Sequence, residues 1–489
     1  MVSISIFIHK FFMMNIEEFR KHGHKLIDWI AAYYEQIEQY PVKSRVNPGD
    51  IYKQIPESAP ADPDGFDQLL ADFDEKIMPG ITHWQHPSFF AYFNANTSFP
   101  SILGELLTSA ISAQCMVWET SPAAAELEER VCEWIRTASG LPHDWHGVIQ
   151  DTASTATLCA LLMAREKYSD FAINKHGFAE GHKYTIYVSS EAHSSIEKGA
   201  KIAGFGSEQV IKIPVDDKLA MMPKALDEQI EKDINTGLIP LCVVAAVGAT
   251  GSHAIDPVRA VGEICKKYSL FYHVDAAHAG NAAILEEYRW MIDGIELADT
   301  YVFNPHKWMF TNFDCSLFYV KDKGTLIRTF EIMPEYLKTE QDTTVNNYRD
   351  WGIQLGRRFR ALKLWFVLRS YGLDAIKRKF REHIRYARYF ADQLVKNPEF
   401  ELLAPVPLNL VCFRYHPQQV AEKDLNELNA QLEKDVNDSG KAYITHTKIN
   451  GKYTLRACIG QTNVAQRHVE ALFNLLKEHA KLLSIDNLE

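Results

Sequence analysis

Between residues 184 and 320 the chain alternates short, nearly continuous apolar runs with stretches of helical length: Tyr184–Val188, Gln209–Ile213, Leu241–Ala246, Leu270–Val274, Thr300–Phe303 and Leu317–Val320. A strand with one wet face alternates apolar and polar residues. Runs that are apolar on both faces belong to a sheet covered on both sides, and the intervening helices supply the cover. The spacing therefore predicts an α/β fold with a mostly parallel sheet. In such sheets ligands gather outside the carboxyl ends of the strands, so chemistry is sought in the residues that follow each run.

The flanks differ from this middle. From Asn15 to about Tyr40 the residues Phe19, Leu26, Ile27, Ile30, Tyr33, Tyr34 and Ile37 recur at helical spacing, and Asn15 with Glu18 forms a capping box. A proline-rich passage (41–63) and a second helix, Phe66 to Ile77, complete an arm (14–98) too poor in apolar residues for its own core. The large unit spans 99–370, with a long helix around Arg357 to Tyr371. A smaller α+β unit, 371–489, carries strands at Leu408–Phe413 and Lys452–Ala457 and a last helix from about Val464 to Leu482. Residues 1–13 read as a disordered or mis-started extension, with neither the basic leader nor the cleavage site of a signal peptide.

The formal net charge of -11, without a basic tract, argues against nucleic acid and anionic membrane as partners. Apolar runs stay short of the roughly 18 residues a membrane helix needs. The eight cysteines are scattered without ligand spacing, which predicts free thiols, a cytoplasmic location and no metal site.

Five features fall at predicted strand ends. Lys307 follows the run Thr300–Phe303 inside Asn304-Pro305-His306-Lys307-Trp308, where desolvation would free its amine for Schiff-base chemistry. A snorkelling lysine is the bland alternative. Asp275 follows Leu270–Val274 as a buried acid calling for a cationic partner, or else a structural ion pair or cap. Asp151 to Thr157, leading into a helical run from Leu158 to Glu166, offers hydroxyls and N–H groups to an anion through Thr152 and Ser154; Ser and Thr also cap helices everywhere. His193 follows Tyr184–Val188 and could face a ring, or be merely hydrogen-bonded. Thr250, in the turn Gly248-Ala-Thr-Gly251, presents a hydroxyl at the same edge, although turn chemistry alone could explain it. One ligand satisfies all five: pyridoxal 5'-phosphate, with Lys307 as its imine lysine, Asp275 on the ring nitrogen, His193 stacked on the ring and Thr152 and Ser154 on the phosphate. No GxGxxG follows a strand, so a dinucleotide is not indicated.

Several segments then carry a family resemblance: His83–Phe93, Thr120–Glu128, His273–Ala277, Asn304–Trp308, Asn312–Ser316 and Leu355–Arg360. Through them the chain resembles the pyridoxal-phosphate-dependent group II amino-acid decarboxylases, closest to the aromatic-L-amino-acid decarboxylases, from about Asn15 onward. The resemblance implies a fold-type I architecture: an N-terminal arm, a seven-stranded mixed sheet, a small C-terminal domain, and a homodimer with active sites at its interface. It also implies that Ala277 and His193 cover opposite ring faces, that Thr152, Ala153, Ser154 and Asn304 hold the phosphate, and that His306 belongs with the cofactor residues. Trp84, Tyr92, Gln114, Met116 and Gly356 fall at positions lining the substrate pocket.

By the same resemblance Tyr336, in Pro334-Glu-Tyr-Leu-Lys338, is the acid that returns a proton to Cα, and His193 with Tyr336 distinguishes amine formation from oxidative aldehyde synthesis. The implied activity is decarboxylation of tryptophan, phenylalanine, tyrosine or dihydroxyphenylalanine. Histidine or glutamate decarboxylation and aromatic aldehyde synthesis are the alternatives. Gly356 stands where plant relatives acting on indoles carry glycine. Asn94, Ala95, Gln114, Gln461 and Thr462 depart from the common pattern and suggest a more polar pocket.

Overall fold

The computed structural model describes residues 14–179, 183–332 and 344–486. Among these, seven strands form one sheet: β1 (His146–Gln150), β2 (Tyr184–Ser189), β3 (Val210–Ile213), β4 (Ile239–Ala246), β5 (Phe271–Asp275), β6 (Thr300–Phe303) and β7 (Ser316–Val320). Their order is β1-β7-β6-β5-β4-β2-β3, and β7 alone runs against the rest. The six apolar runs are all strands of this sheet. The missing seventh, β1, has the sequence His-Gly-Val-Ile-Gln, whose polar ends hide it from any search for apolar runs.

Successive residues of the strands enter two cores, one on each face. Val243, Ala245, Tyr272, Val274, Tyr301 and Phe303 pack on one side, with the residues between them, Cys242, Val244, Phe271 and Val302, on the other. This is the period of two that a pleated strand imposes, with both faces apolar because both are covered. The helix Ala153–Tyr168 covers one face and contributes Ala156, Cys159, Ala160, Leu161 and Met163. It begins five residues before the predicted Leu158, because Thr152 is its cap and its first turn is made of Ala, Ser and Thr, which carry no amphipathic signal.

The arm opens with the helix Ile16–Glu35, whose Asn15/Glu18 capping box forms as expected. The predicted helix Phe66 to Ile77 is regular only over Phe66–Asp72; it widens to a π-helical turn at Phe73–Ile77 and tightens at Met78–Gly80, where Pro79 lacks the N–H to continue it. The long helix begins at Arg360 rather than Arg357 and extends to Lys396, with a break at Gly372 (φ 72°, ψ 155°) that only glycine adopts without strain.

The C-terminal part forms an antiparallel sheet in the order β10-β11-β9-β8, from β8 (Phe400–Leu402), β9 (Leu410–Tyr415), β10 (Thr445–Ile449) and β11 (Lys452–Cys458). The helix Gln466–Asp486 and the distal half of the long helix pack on it through Phe390, Leu394, Val469, Leu472 and Leu476. Asn96 ties the arm to both units, donating to Lys307 O at 2.6 Å and Gly460 O at 2.7 Å.

A buried carboxylate fixes the edge where β4 ends. Asp256 accepts the N–H groups of Ala246 and Met221, each at 2.7 Å. Burial pushes its pKa up to about 7, against the pull of those two N–H groups.

Candidate active site

Because six of the seven strands are parallel, the residues following β1, β2, β4, β5 and β6 emerge at one edge of the sheet. There they enclose a cavity of about 270 Å³. It is lined by Thr152, Ala153, Ser154, His193, Thr250, Asp275, Ala277, Asn304, His306 and Lys307, which are all ten residues expected to hold the cofactor.

Lys307 lies in the single helical turn Pro305–Trp308 after β6. Its backbone is held from two sides: its N–H donates to Asn304 O at 3.0 Å, and its carbonyl accepts the Asn96 amide. Trp308, fully buried with its indole N–H on His383 Nδ1 at 2.9 Å, anchors the turn from below. The Lys307 Nζ sits 5.3 Å from the Phe93 ring centroid. Burial lowers its pKa, and the negative charge of Asp275 pulls the other way. A desolvated amine of this kind reaches its neutral, nucleophilic form more readily than a surface lysine.

Asp275 is the last residue of β5 rather than the first beyond it, and is 8% exposed. One oxygen accepts the Ala277 N–H at 3.1 Å, and the carboxylate makes no ion pair among the described residues. The cationic partner expected from sequence is therefore not a side chain at contact distance, which leaves the acid available to a bound cationic group. His193 caps the helix Ser194–Ile202: its Nδ1 accepts the Ser195 N–H at 3.1 Å and lies 2.7 Å from the Ser195 hydroxyl. A backbone N–H can only donate, so Nδ1 is the acceptor and Nε2 carries the ring proton. Burial lowers the pKa of His193, Asp275 opposes, and Lys307 adds to the lowering, which favours the neutral imidazole.

Another part of the cavity is built from donors. Thr152 Oγ1 caps Thr155 N, leaving the N–H groups of Ala153 and Ser154 outside the helical ladder. Asn304 gives its side-chain oxygen to the Ser316 hydroxyl at 2.6 Å, so its NH₂ is left for the cavity. His306 accepts the Cys315 N–H on Nδ1 at 2.9 Å and is held neutral by burial, its pKa lowered to about 3, which leaves Nε2–H as a donor. Neutral N–H groups at a helix start suit a phosphate, so cavity and cofactor fit in donor type throughout. Opposite, Gly248 (φ +83°) lets the loop after β4 close down: a Cβ there would meet Ala279 Cβ at 2.5 Å. Arg456 of β11 holds that loop by donating to Thr250 O at 2.6 Å and Gly251 O at 3.0 Å.

The five residues expected to line the substrate pocket lie elsewhere in this chain. Trp84 and Tyr92 stack on each other at 5.7 Å, 36% and 48% exposed. Gln114 accepts the Arg357 N–H at 2.6 Å, next to Gly356, where an added Cβ would come within 3.3 Å of the Gln114 amide nitrogen. Met116 accepts the Arg349 N–H through its carbonyl at 2.8 Å. Tyr336 and the extension 1–13 lie outside the described residues. Sequence reasoning passed over seven lining residues: Phe93, Ser195, Ala246, Gly248, Ala249, His278 and Phe313. His278 had a findable signal, three residues past Asp275 in the same strand-end turn. Phe93 and Phe313 had none, since aromatic residues are more often core.

Comparisons with known proteins agree with this geometry. Residues 48–416 match the pyridoxal-dependent decarboxylase conserved domain. The chain is 42% identical to tryptophan decarboxylase 2 of Oryza sativa subsp. japonica over 477 residues, covering 96% of this chain and 95% of that one. It is also 42% identical to a phenylacetaldehyde synthase of Arabidopsis thaliana over 480 residues, covering 96% and 97%. Among solved structures it is similar to an Oryza sativa TDC determined with PLP and tryptamine, with a TM-score of 0.92, 34% identity and coverage of 96% and 99%. A lysine, an acid, a histidine and a phosphate-type donor set at one sheet edge thus have their counterpart in known chemistry, and the chain belongs to the pyridoxal-dependent decarboxylases, fold-type I enzymes whose cofactor is pyridoxal phosphate.

Proposed function

We propose that this enzyme removes carbon dioxide from an aromatic L-amino acid to give the corresponding amine. The observation that carries the reading is the convergence of Lys307, Asp275, His193 and the Ala153/Ser154/Asn304/His306 donors on one cavity. Bound pyridoxal phosphate supplies an electron sink for the pair left at Cα when carbon dioxide departs. Lys307 would hold the cofactor through its desolvated amine. Asp275 keeps the ring nitrogen protonated, which makes the sink deeper. His193, oriented by Ser195, and Ala277 would hold the ring. The N–H groups of Ala153 and Ser154, the Asn304 amide and His306 Nε2–H hold the phosphate. Tyr336 delivers the proton to Cα.

The named relatives include a decarboxylase and an aldehyde synthase, so the product must be measured. Purified enzyme is to be offered tryptophan, phenylalanine, tyrosine, dihydroxyphenylalanine, histidine and glutamate, with amine, carbon dioxide, aldehyde and peroxide quantified. Aromatic amine with one equivalent of carbon dioxide is expected. Histamine or γ-aminobutyrate as the main product, or aldehyde with peroxide, would overturn the assignment.

The same reading includes a homodimer. Phe99, Leu103, Leu106, Leu107 and Ile111 stand 43–60% exposed along one face of the helix Phe99–Ile111, and the helix Ile16–Glu35 has no buried residue. Apolar faces of this size favour burial against a second copy. Trp84, Tyr92, Gln114, Met116 and Gly356 then meet substrate across the subunit boundary. Sedimentation at twice the chain mass of 55.8 kDa is expected; a stable, active monomer contradicts it. A cytoplasmic location is favoured by eight buried, unpaired cysteines, and enzyme recovered in a secreted fraction would count against it.

A further inference from the structure

Behind the cavity wall, between the loop after β4 and the turn after β5, lie two imidazoles that the reaction above does not use. His253 is 0% and His278 1% exposed. His278 is stacked between Phe93 and Trp308, with centroids 4.1 Å and 5.0 Å away and planes within 7° and 10°. His253, held in the left-handed region (φ 63°), tilts against both Phe93 and His278 at 5.4 Å.

Their hydrogen bonds do not close. His278 Nε2 is 2.9 Å from Asn409 Oδ1. An amide oxygen only accepts, so Nε2 carries the proton and Nδ1 is an acceptor. That Nδ1 has no partner among the described residues, and neither does either ring nitrogen of His253. Burial holds both rings neutral, and the charged groups facing them, Lys307 and Arg456, push the same way. A neutral His253 therefore offers one donor and one acceptor to nothing. Orphaned polar atoms at this depth are expensive, and an apolar ring would fill the same stack without that cost.

One water closes most of the account. It donates to His278 Nδ1 and accepts the His253 N–H; ordinary hydrogen-bond lengths let it span nitrogens up to about 5.6 Å apart. His278 and Lys307 both line the cavity, which places the pair next to the reacting side. The remaining His253 acceptor needs a donor. Arg456 directs three of its five N–H donors to Gly251 O, Thr445 Oγ1 and Thr250 O. Lys307, which lines the same cavity as His278, is likewise without an ion pair among the described residues.

We propose that His253 and His278 bind an internal water at the back of the cavity, and that this hydrated pair is a positioning element for the Lys307 amine. The inference rests on the reading of Lys307 as the lysine that carries the cofactor. Water-held acceptors stabilise the protonated form of the nitrogen on Lys307, so their loss lowers its proton affinity.

A crystal structure of the holoenzyme tests the site directly. Density for a water within about 3.2 Å of His278 Nδ1 and of one His253 nitrogen is expected. A dry gap there overturns the proposal. The role is read from a pH titration of the bound cofactor's visible absorbance. His278→Phe keeps the aromatic stack but removes the acceptor, and is expected to lower the midpoint by about half a pH unit or more, a threefold loss of proton affinity. An unchanged midpoint overturns the coupling to Lys307. His253→Asn, which tolerates the left-handed backbone and retains a donor and an acceptor, is expected to titrate near wild type; a shift as large as that of His278→Phe overturns the water's part. Failure of the underlying reading looks different, because Lys307→Ala would then keep the wild-type chromophore with both histidines in place.

Discussion

Lys307→Ala is expected to abolish the borohydride-sensitive visible chromophore of the purified protein and to lower kcat by about 10⁴-fold or more, as loss of a covalent group does in other enzymes. The fold is expected to survive. The backbone bonds that set the turn come from Asn304 and Asn96, and the side chain lies over the Phe93 face. The variant also has a stability signature in the cofactor-free protein. Burial lowers the Lys307 pKa from 10.5 in the folded state, so between the folded value and 10.5 the unfolded chain binds more protons. Stability from this group therefore rises with pH through that window, and the slope disappears in Lys307→Ala. Chemical denaturation of the apo forms at several pH values measures it; parallel profiles for wild type and variant would refute the buried-cation account. A variant that keeps both chromophore and turnover would remove Lys307 from the mechanism altogether.

Tyr336→Phe is expected to separate the two chemistries present among the relatives. Loss of a positioned general acid slows proton delivery by roughly 10²–10⁴-fold. Amine output should fall by that order while aldehyde and peroxide rise, because a carbanion equivalent that waits for its proton is exposed to oxygen for longer. The assignment of Tyr336 comes from the family resemblance, which Pro334-Glu-Tyr-Leu-Lys338 matches. Undiminished amine with no aldehyde would show that another group supplies the proton. Cofactor loading should be unaffected, which distinguishes this variant from Lys307→Ala.

Both experiments depend on residues that were legible before any coordinates. Tyr336 came through the family resemblance, whereas Lys307 and His193 lie next to patterns with a local cause. Lys307 follows a four-residue apolar run inside an Asn-Pro turn, and His193 follows another run inside a helix cap. Asp275 is readable for the same reason, since a carboxylate at the end of a buried strand is expensive and so needs a partner. Local patterns also account for the misses. β1 is bounded by His146 and Gln150 and has no continuous apolar run, yet its carboxyl end delivers Thr152, Ala153 and Ser154. The break at Gly372 hides within a helix that reads as amphipathic on both sides.

The committed oxygen of Asn304, the neutral state of His306 and the unclosed hydrogen bonds of His253 and His278 could not be read from the chain. Each depends on residues far apart in sequence: Asn304 with Ser316, His278 with Asn409, Lys307 with Asn96 and Phe93. The sequence by itself determined the fold class and singled out Lys307 and Asp275 as the proposed cofactor lysine and acid, because strand period, burial cost and turn chemistry act over a few residues. Tertiary structure alone decided which donors remain free, which rings are dry and which predicted pocket residues stand away from the cavity, because hydrogen-bond satisfaction and desolvation belong to the packed whole.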